Sequence, residues 1–131
     1  MIPINCETSI ELKKIINFKR KLAKFNDLWS PKIISEFNEQ EIKLVKLKGD
    51  FVSHKHDKTD EVFIVLEGKL KIEFKDKIAV LNKGEMIVIP SGEKHKPFSD
   101  EECKIILIER KNTINTGGED HYLKSPNDIW I

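Results

Sequence analysis

An all-β sandwich or barrel is the fold class this sequence predicts, and three observations predict it. From Ile33 onward the spacing of apolar residues changes to a period of two. The alternating runs are short and are divided by turn-forming Asn, Gly and Pro residues. No long helical segment lies between them, which argues against the helical crossovers that a parallel sheet needs.

The first third of the chain stands apart from this pattern. Thr8 and Glu11 have the spacing of a capping box, and Leu12, Ile15, Ile16, Leu22 and Phe25 recur at roughly helical intervals. One or two short helical turns between Thr8 and Phe25 are therefore expected, with an edge strand through Ile10, Leu12 and Ile16 as the alternative. Trp29-Ser30-Pro31 then breaks the chain and hands it to strands. Strands are expected over Ile33 to Phe37 and Ile42 to Leu47, around the polar bend Asn38-Glu39-Gln40, and over the continuous apolar run Val62 to Leu66. Leu70, Ile72 and Phe74 alternate with Lys69, Lys71 and Glu73, giving a strand with one dry and one wet face. Lys75-Asp76 turns the chain into Lys77 to Leu81, and Asn82-Lys83-Gly84 turns it again into Glu85 to Ile89. After a polar bend over Ser99 to Glu102 comes Lys104 to Glu109. The total is at least six strands, with Asp128 to Ile131 as a candidate last one. In Val62 to Leu66 and Ile105 to Ile108 both parities are apolar, so both faces should be covered, by the rest of the barrel or by a second subunit. A homodimer is the expectation.

Length and composition place few further demands. The 131 residues suit one domain over 1–131, with a core barrel at about 29–110, an N-terminal segment 1–28 and a C-terminal tail 111–131. The 23 basic and 22 acidic side chains nearly cancel, so no net field draws the protein to nucleic acid or anionic lipid. The basic stretch Lys13 to Lys24 reads as a solvated helix face, and no helix-turn-helix pattern accompanies the strands. Cys6 and Cys103 lack Cys-x-x-Cys spacing and read as reduced bystanders. No apolar run approaches the roughly 20 residues of a membrane span and no secretory leader is evident, so a cytoplasmic location is expected.

The chemistry concentrates in the histidines. Of the four in the chain, His54 and His56 are one residue apart, which on extended backbone puts both rings on one face about 6 to 7 Å apart at the backbone. Lys55 faces away. Glu61 follows across the polar segment Asp57-Lys58-Thr59-Asp60 and can bring a carboxylate to the same point. His95, after the turn Pro90-Ser91-Gly92, can add a fourth ligand from a neighbouring strand. The fourth histidine, His121, lies beside Tyr122 in a polar segment that reads as a surface loop and is left out of the site. Asn115-Thr116-Gly117-Gly118 has no following Lys and opens no helix, so it is not a phosphate loop. Phe51, Phe63, Met86 and Phe98 read as core, with Phe63 on the same face as Glu61.

With these residues in place the chain resembles the cupin superfamily. The family's first motif runs glycine, five residues, His-x-His, three or four residues, Glu, six residues, glycine; this chain has Gly49, four residues, His54-Lys55-His56, four residues, Glu61, six residues, Gly68. The second runs glycine, five residues, Pro-x-Gly, two residues, His, three residues, Asn, and is matched at Gly84, Pro90, Gly92 and His95, with Ser99 in place of the Asn. The resemblance spans Gly49 to Ser99 closely. It implies a double-stranded β-helix, a jelly-roll barrel, holding one divalent metal ion through His54, His56, Glu61 and His95.

Three imidazoles and a carboxylate suit Fe, Mn, Co, Ni, Cu or Zn without selecting sharply among them. If the ion is six-coordinate, two positions remain for a small-molecule ligand, so the expected function is a metal-dependent enzyme on a small oxygenated substrate, sugar-isomerase-like or dioxygenase-like. A non-enzymatic binding module is the alternative. Only Arg20 and Arg110 are available to clamp a phosphate bidentately, which weighs against a phosphosugar.

Overall fold

The computed structural model describes residues 13–131. Cys6, the capping-box pair Thr8 and Glu11, and Ile10 and Leu12 of the alternative edge strand lie outside the described residues. Among the described residues of this region the helix is one short piece, α1 (Phe18–Leu22), capped by the Asn17 carboxamide, which accepts from the Arg20 N–H at 2.9 Å. Ile16 precedes it outside any strand and packs on the outer face of the sheet.

Seven strands follow: β1 (Lys32–Phe37), β2 (Gln40–Asp50), β3 (Glu61–Glu67), β4 (Leu70–Glu73), β5 (Ile78–Leu81), β6 (Met86–Ile89) and β7 (Lys96–Arg110). Every pairing between them is antiparallel, in the order β1-β2-β7-β3-β6, and β4 pairs with both β5 and β7. The 15-residue β7 organises the whole. Its later half, Lys104 to Ile108, lies between β2 and β3, while its first residues, Lys96 to Phe98, lie between β2 and β4. One strand shared in this way curls both hairpins around a common interior.

Two expectations are corrected here. The polar Ser99 to Glu102 segment does not separate strands but lies within β7, where the register with β2 shifts between Leu47 and Gly49. Asp100, Glu101 and Glu102 point to solvent there while the pairing resumes on either side, so polar residues mark an irregularity in one strand rather than its end. The last segment makes a single parallel bridge, Ile33 to Trp130, and is not a strand.

Alternation sorts the side chains onto two faces. Inside the barrel lie Val45, Leu47, Phe63, Val65, Leu70, Ile72, Ile105 and Leu107, all buried. Burying each such side chain contributes about 1.5–3 kcal/mol. The outer face of β2 and β7 carries Leu44 and Ile106, covered by Leu22 and Phe25 of the N-terminal segment and by Ile34, with Ile42, Ile108 and Ile131 at its margin. The second cover required by Ile105 to Ile108 thus comes from the chain's own N-terminal segment. Met86, expected in the core, instead points outward and is exposed.

Candidate metal centre

His54, His56 and His95 are placed by a short ladder that prolongs the barrel past the ends of the named strands. Phe51 N–H donates to Pro97 O at 3.0 Å, His54 and His95 exchange two backbone hydrogen bonds of 2.9 and 2.8 Å, and Gly92 N–H donates to His56 O at 2.8 Å. The two histidine-bearing segments are therefore clamped together as an isolated antiparallel bridge, outside any regular strand. Glu61 reaches the same point as the first residue of β3, on the inward parity shared with Phe63 and Val65. Lys55 is exposed, as alternation requires.

The four predicted side chains converge. Their ligand atoms lie within 4.8 Å of one another and all four residues are buried. Ring centroids are 4.8 Å apart for His54 and His56 and 4.5 Å for His54 and His95. His121 is not part of this group. It stacks on the exposed Tyr122, and its Nδ1 accepts from the Leu123 N–H at 3.1 Å.

Hydrogen bonds fix what the rings present. His54 Nδ1 lies 2.8 Å from Val52 O and His95 Nδ1 lies 2.8 Å from Glu93 O. A carbonyl only accepts, so each Nδ1 carries the proton and each Nε2 is turned inward. Burial pushes the His54 imidazolium down to about 4, so this ring is neutral near pH 7 and its Nε2 keeps a lone pair. His95 Nε2 stands 3.0 Å from Glu61 Oε1. His56 Nε2 is 3.2 Å from Glu61 Oε2 but out of hydrogen-bonding alignment, which leaves this buried atom without a partner among the described residues. Burial by itself would raise the Glu61 carboxyl, but the facing His56 and His95 rings outweigh it and hold Glu61 ionised, well below the usual carboxylate range.

Two groups the sequence reading missed stand behind Glu61. Lys43 and Glu109, each about 1% exposed, form an ion pair of 2.8 Å inside the barrel, with Glu41 Oε1 3.7 Å from the same ammonium. Burial and the neighbouring Glu61 charge raise Glu109 well above its ordinary value, against the pull of Lys43. The available signal was strand parity: Lys43 is two residues before Val45, and Glu109 two after Leu107.

On its other side the cluster borders a cavity of about 30 Å³ lined by His54 and Glu61, by Trp29, Phe51, Phe63 and a wall of aliphatic residues, and by Asn115. Phe51 links the two, stacked on Trp29 at 4.7 Å and edge-on to His54 at 5.3 Å. Trp29 has φ 59, a costly conformation for a bulky residue. It is held there by Trp29 N–H to Lys46 O, Nε1–H to Lys48 O and an Asn115 Nδ2–H bond to its own carbonyl, of 2.9, 2.9 and 3.0 Å.

This antiparallel barrel, with its two histidine segments clamped at one end, matches a known family. The Cupin domain model fits residues 43–109, about half of the chain and nearly all of β2 to β7. The chain is a cupin. Its fold is accordingly the double-stranded β-helix with a short helix before it. Among solved structures, a cupin-2 domain containing protein from Shewanella frigidimarina is 54% identical, with a TM-score of 0.72 over 73% of this cupin and 94% of that chain. A protein from Neisseria meningitidis is 36% identical, with a TM-score of 0.69 over 74% of this chain and 99% of its own. In sequence, the cupin is also 40% identical over 79 residues to "Uncharacterized protein YdbB" of Bacillus subtilis (strain 168), which spans 60% of this chain and 70% of that protein.

Proposed function

We propose that His54, His56, Glu61 and His95 hold one divalent metal ion, and that this cupin is a metal-dependent enzyme acting on a small oxygenated molecule. The observation that carries the reading is the contact between His95 and Glu61. With its Nδ1 turned to the Glu93 carbonyl, His95 brings its Nε2 to 3.0 Å from Glu61 Oε1 in a buried place. Two electron-rich atoms approach so closely in a buried place only around a positive centre, a proton or a metal ion. The neutral His54 and the unpartnered His56 Nε2 beside them favour the metal, because one ion satisfies all four groups at once.

When bound, the ion supplies Lewis acidity to an oxygen donor of the substrate. The chain's own residues do the rest. The Val52 and Glu93 carbonyls fix the tautomer and orientation of His54 and His95, and Phe51 and Trp29 wall the site against water. A non-enzymatic small-molecule binding module is the second reading, favoured by one observation: among the described residues, no acid or base other than His54 and Glu61 lines the cavity.

Metal content per chain tests the ligand assignment. His54→Ala and His95→Ala should lose most of the bound metal while His121→Ala keeps it; equal content in all three variants refutes the assignment. Turnover by the loaded protein of any hydroxycarbonyl would decide between enzyme and binder. We also propose that the protein works as a homodimer in the cytoplasm. Ile78 and Val80 on β5, and Met86 and Val88 on β6, are exposed apolar side chains that a second copy would cover, and the free, buried Cys103 suits a reducing compartment. Light scattering at twice 15.2 kDa is the expected result for the dimer.

A further inference from the structure

We infer that the cavity beside the four-residue cluster selects a neutral ligand with an apolar body and an oxygen donor at the end facing His54 and Glu61. The inference rests on the metal reading for the donor end and on the cavity alone for the apolar end. No lysine or arginine lines the cavity, and its walls are Trp29, Phe51, Phe63, Val45, Leu47, Ile105, Leu107 and two prolines. A phosphate or a second carboxylate in such surroundings loses its water without gaining a counter-charge.

The polar groups present are already committed. Asn115 Nδ2 donates to Trp29 O and to Leu123 O, at 3.0 and 2.9 Å, and its Oδ1 accepts from the Ser125 N–H at 3.1 Å. Trp29 Nε1–H is spent on Lys48 O. A polyhydroxyl chain would therefore bury hydroxyls with almost nothing to receive them, whereas methyl and methylene groups meet aromatic and aliphatic walls.

Two measurements on the full chain test this. The first is xenon binding by 129Xe NMR to the metal-free protein, which probes the apolar cavity with no metal involved. One saturable site, lost in Leu107→Phe, is expected, and absence of any site in the wild type overturns the inference. The second titrates the cobalt(II) spectrum of the loaded protein with hydroxyacetone, 1-hydroxy-2-butanone, dihydroxyacetone and dihydroxyacetone phosphate. The extra methylene of 1-hydroxy-2-butanone should tighten binding about 4-fold over hydroxyacetone. Dihydroxyacetone and its phosphate should bind more weakly than hydroxyacetone, and tightest binding by the phosphate overturns the inference. Should the protein fail to take up cobalt while xenon still binds, the metal reading falls and the apolar cavity stands.

Discussion

Replacing Gly117 by alanine should loosen the C-terminal tail from the candidate metal centre. Gly117 has φ 65, and a Cβ built there would lie 2.2 Å from Lys55 O and 3.4 Å from His54 Cβ. The first obstacle is backbone, between the two histidines of the first motif, and cannot rotate aside. Relieving it to ordinary contact requires a shift of roughly 1 Å in one of two packed segments, a strain of about 1–3 kcal/mol. The left-handed conformation costs alanine a further 1–2 kcal/mol or so. Gly118→Ala is the control, because φ is 91 there but no atom lies within 4 Å of the added Cβ. It should show the conformational cost alone, so the two variants should differ by about 2 kcal/mol. Urea unfolding of both metal-free variants measures this, and with a slope of about 2 kcal/mol per molar the Gly117 midpoint should fall roughly 1 M below the control. Midpoints that coincide would refute the close approach of the tail to the His54-Lys55-His56 segment, and with it the placement of Asn115 as a cavity wall.

Acid should destabilise the metal-free protein. His54 is depressed to about 4 in the fold, so on unfolding it takes up a proton anywhere between that value and its ordinary 6.5. The stability it contributes is present above pH 6.5 and is lost as pH falls toward 4, amounting to about 3 kcal/mol over that window. His54→Phe should flatten this part of the pH–stability curve, and an unchanged curve would contradict the burial argument. Inside the barrel, Lys43→Met removes the ammonium from two buried glutamates and should cost about 3 kcal/mol or more. Lys43→Met with Glu109→Leu should recover part of that loss; equal or greater loss in the double variant would show that the ion pair does not act as a unit. Cys103 is wholly buried and its thiol is raised to about 11, so in a Cys6→Ser background it should not react with a disulfide reagent at pH 8 until urea unfolds the protein. Rapid labelling of the native chain would place it elsewhere.

The strands were legible because a barrel wall repeats one physical demand, that every second side chain be dry. Leu70 and Ile72 against Lys71 and Glu73 state that demand without ambiguity, and β4 forms where they lie. The demand breaks down where a strand serves two neighbours in turn. β7 must pair with β4 at its start and β3 at its end, and the exposed Asp100, Glu101 and Glu102 sit at the changeover, where local polarity looks like a loop. No window of ten residues contains that information, since it depends on partners drawn from elsewhere in the chain.

The histidine and glutamate cluster was legible for a different reason: histidine is rare in the chain and the spacing of His54, His56 and His95 to Glu61 and the glycines is specific. Its surroundings were not. Lys43 and Glu109 read as the wet residues of half-exposed strands, because charge is ordinarily evidence of solvent. Parity says the opposite, placing Glu41, Lys43, Glu61 and Glu109 on the inward face with Val45, Phe63 and Leu107. The interior is thus divided lengthwise. Charged groups crowd one end around Glu61, hydrocarbon fills the other, and the His54 side of the cluster stands at the boundary. A ligand entering at that boundary meets its one polar opportunity at the cluster and finds only apolar wall beyond it. For that reason the donor atom and the hydrocarbon of a substrate are expected at opposite ends of the molecule.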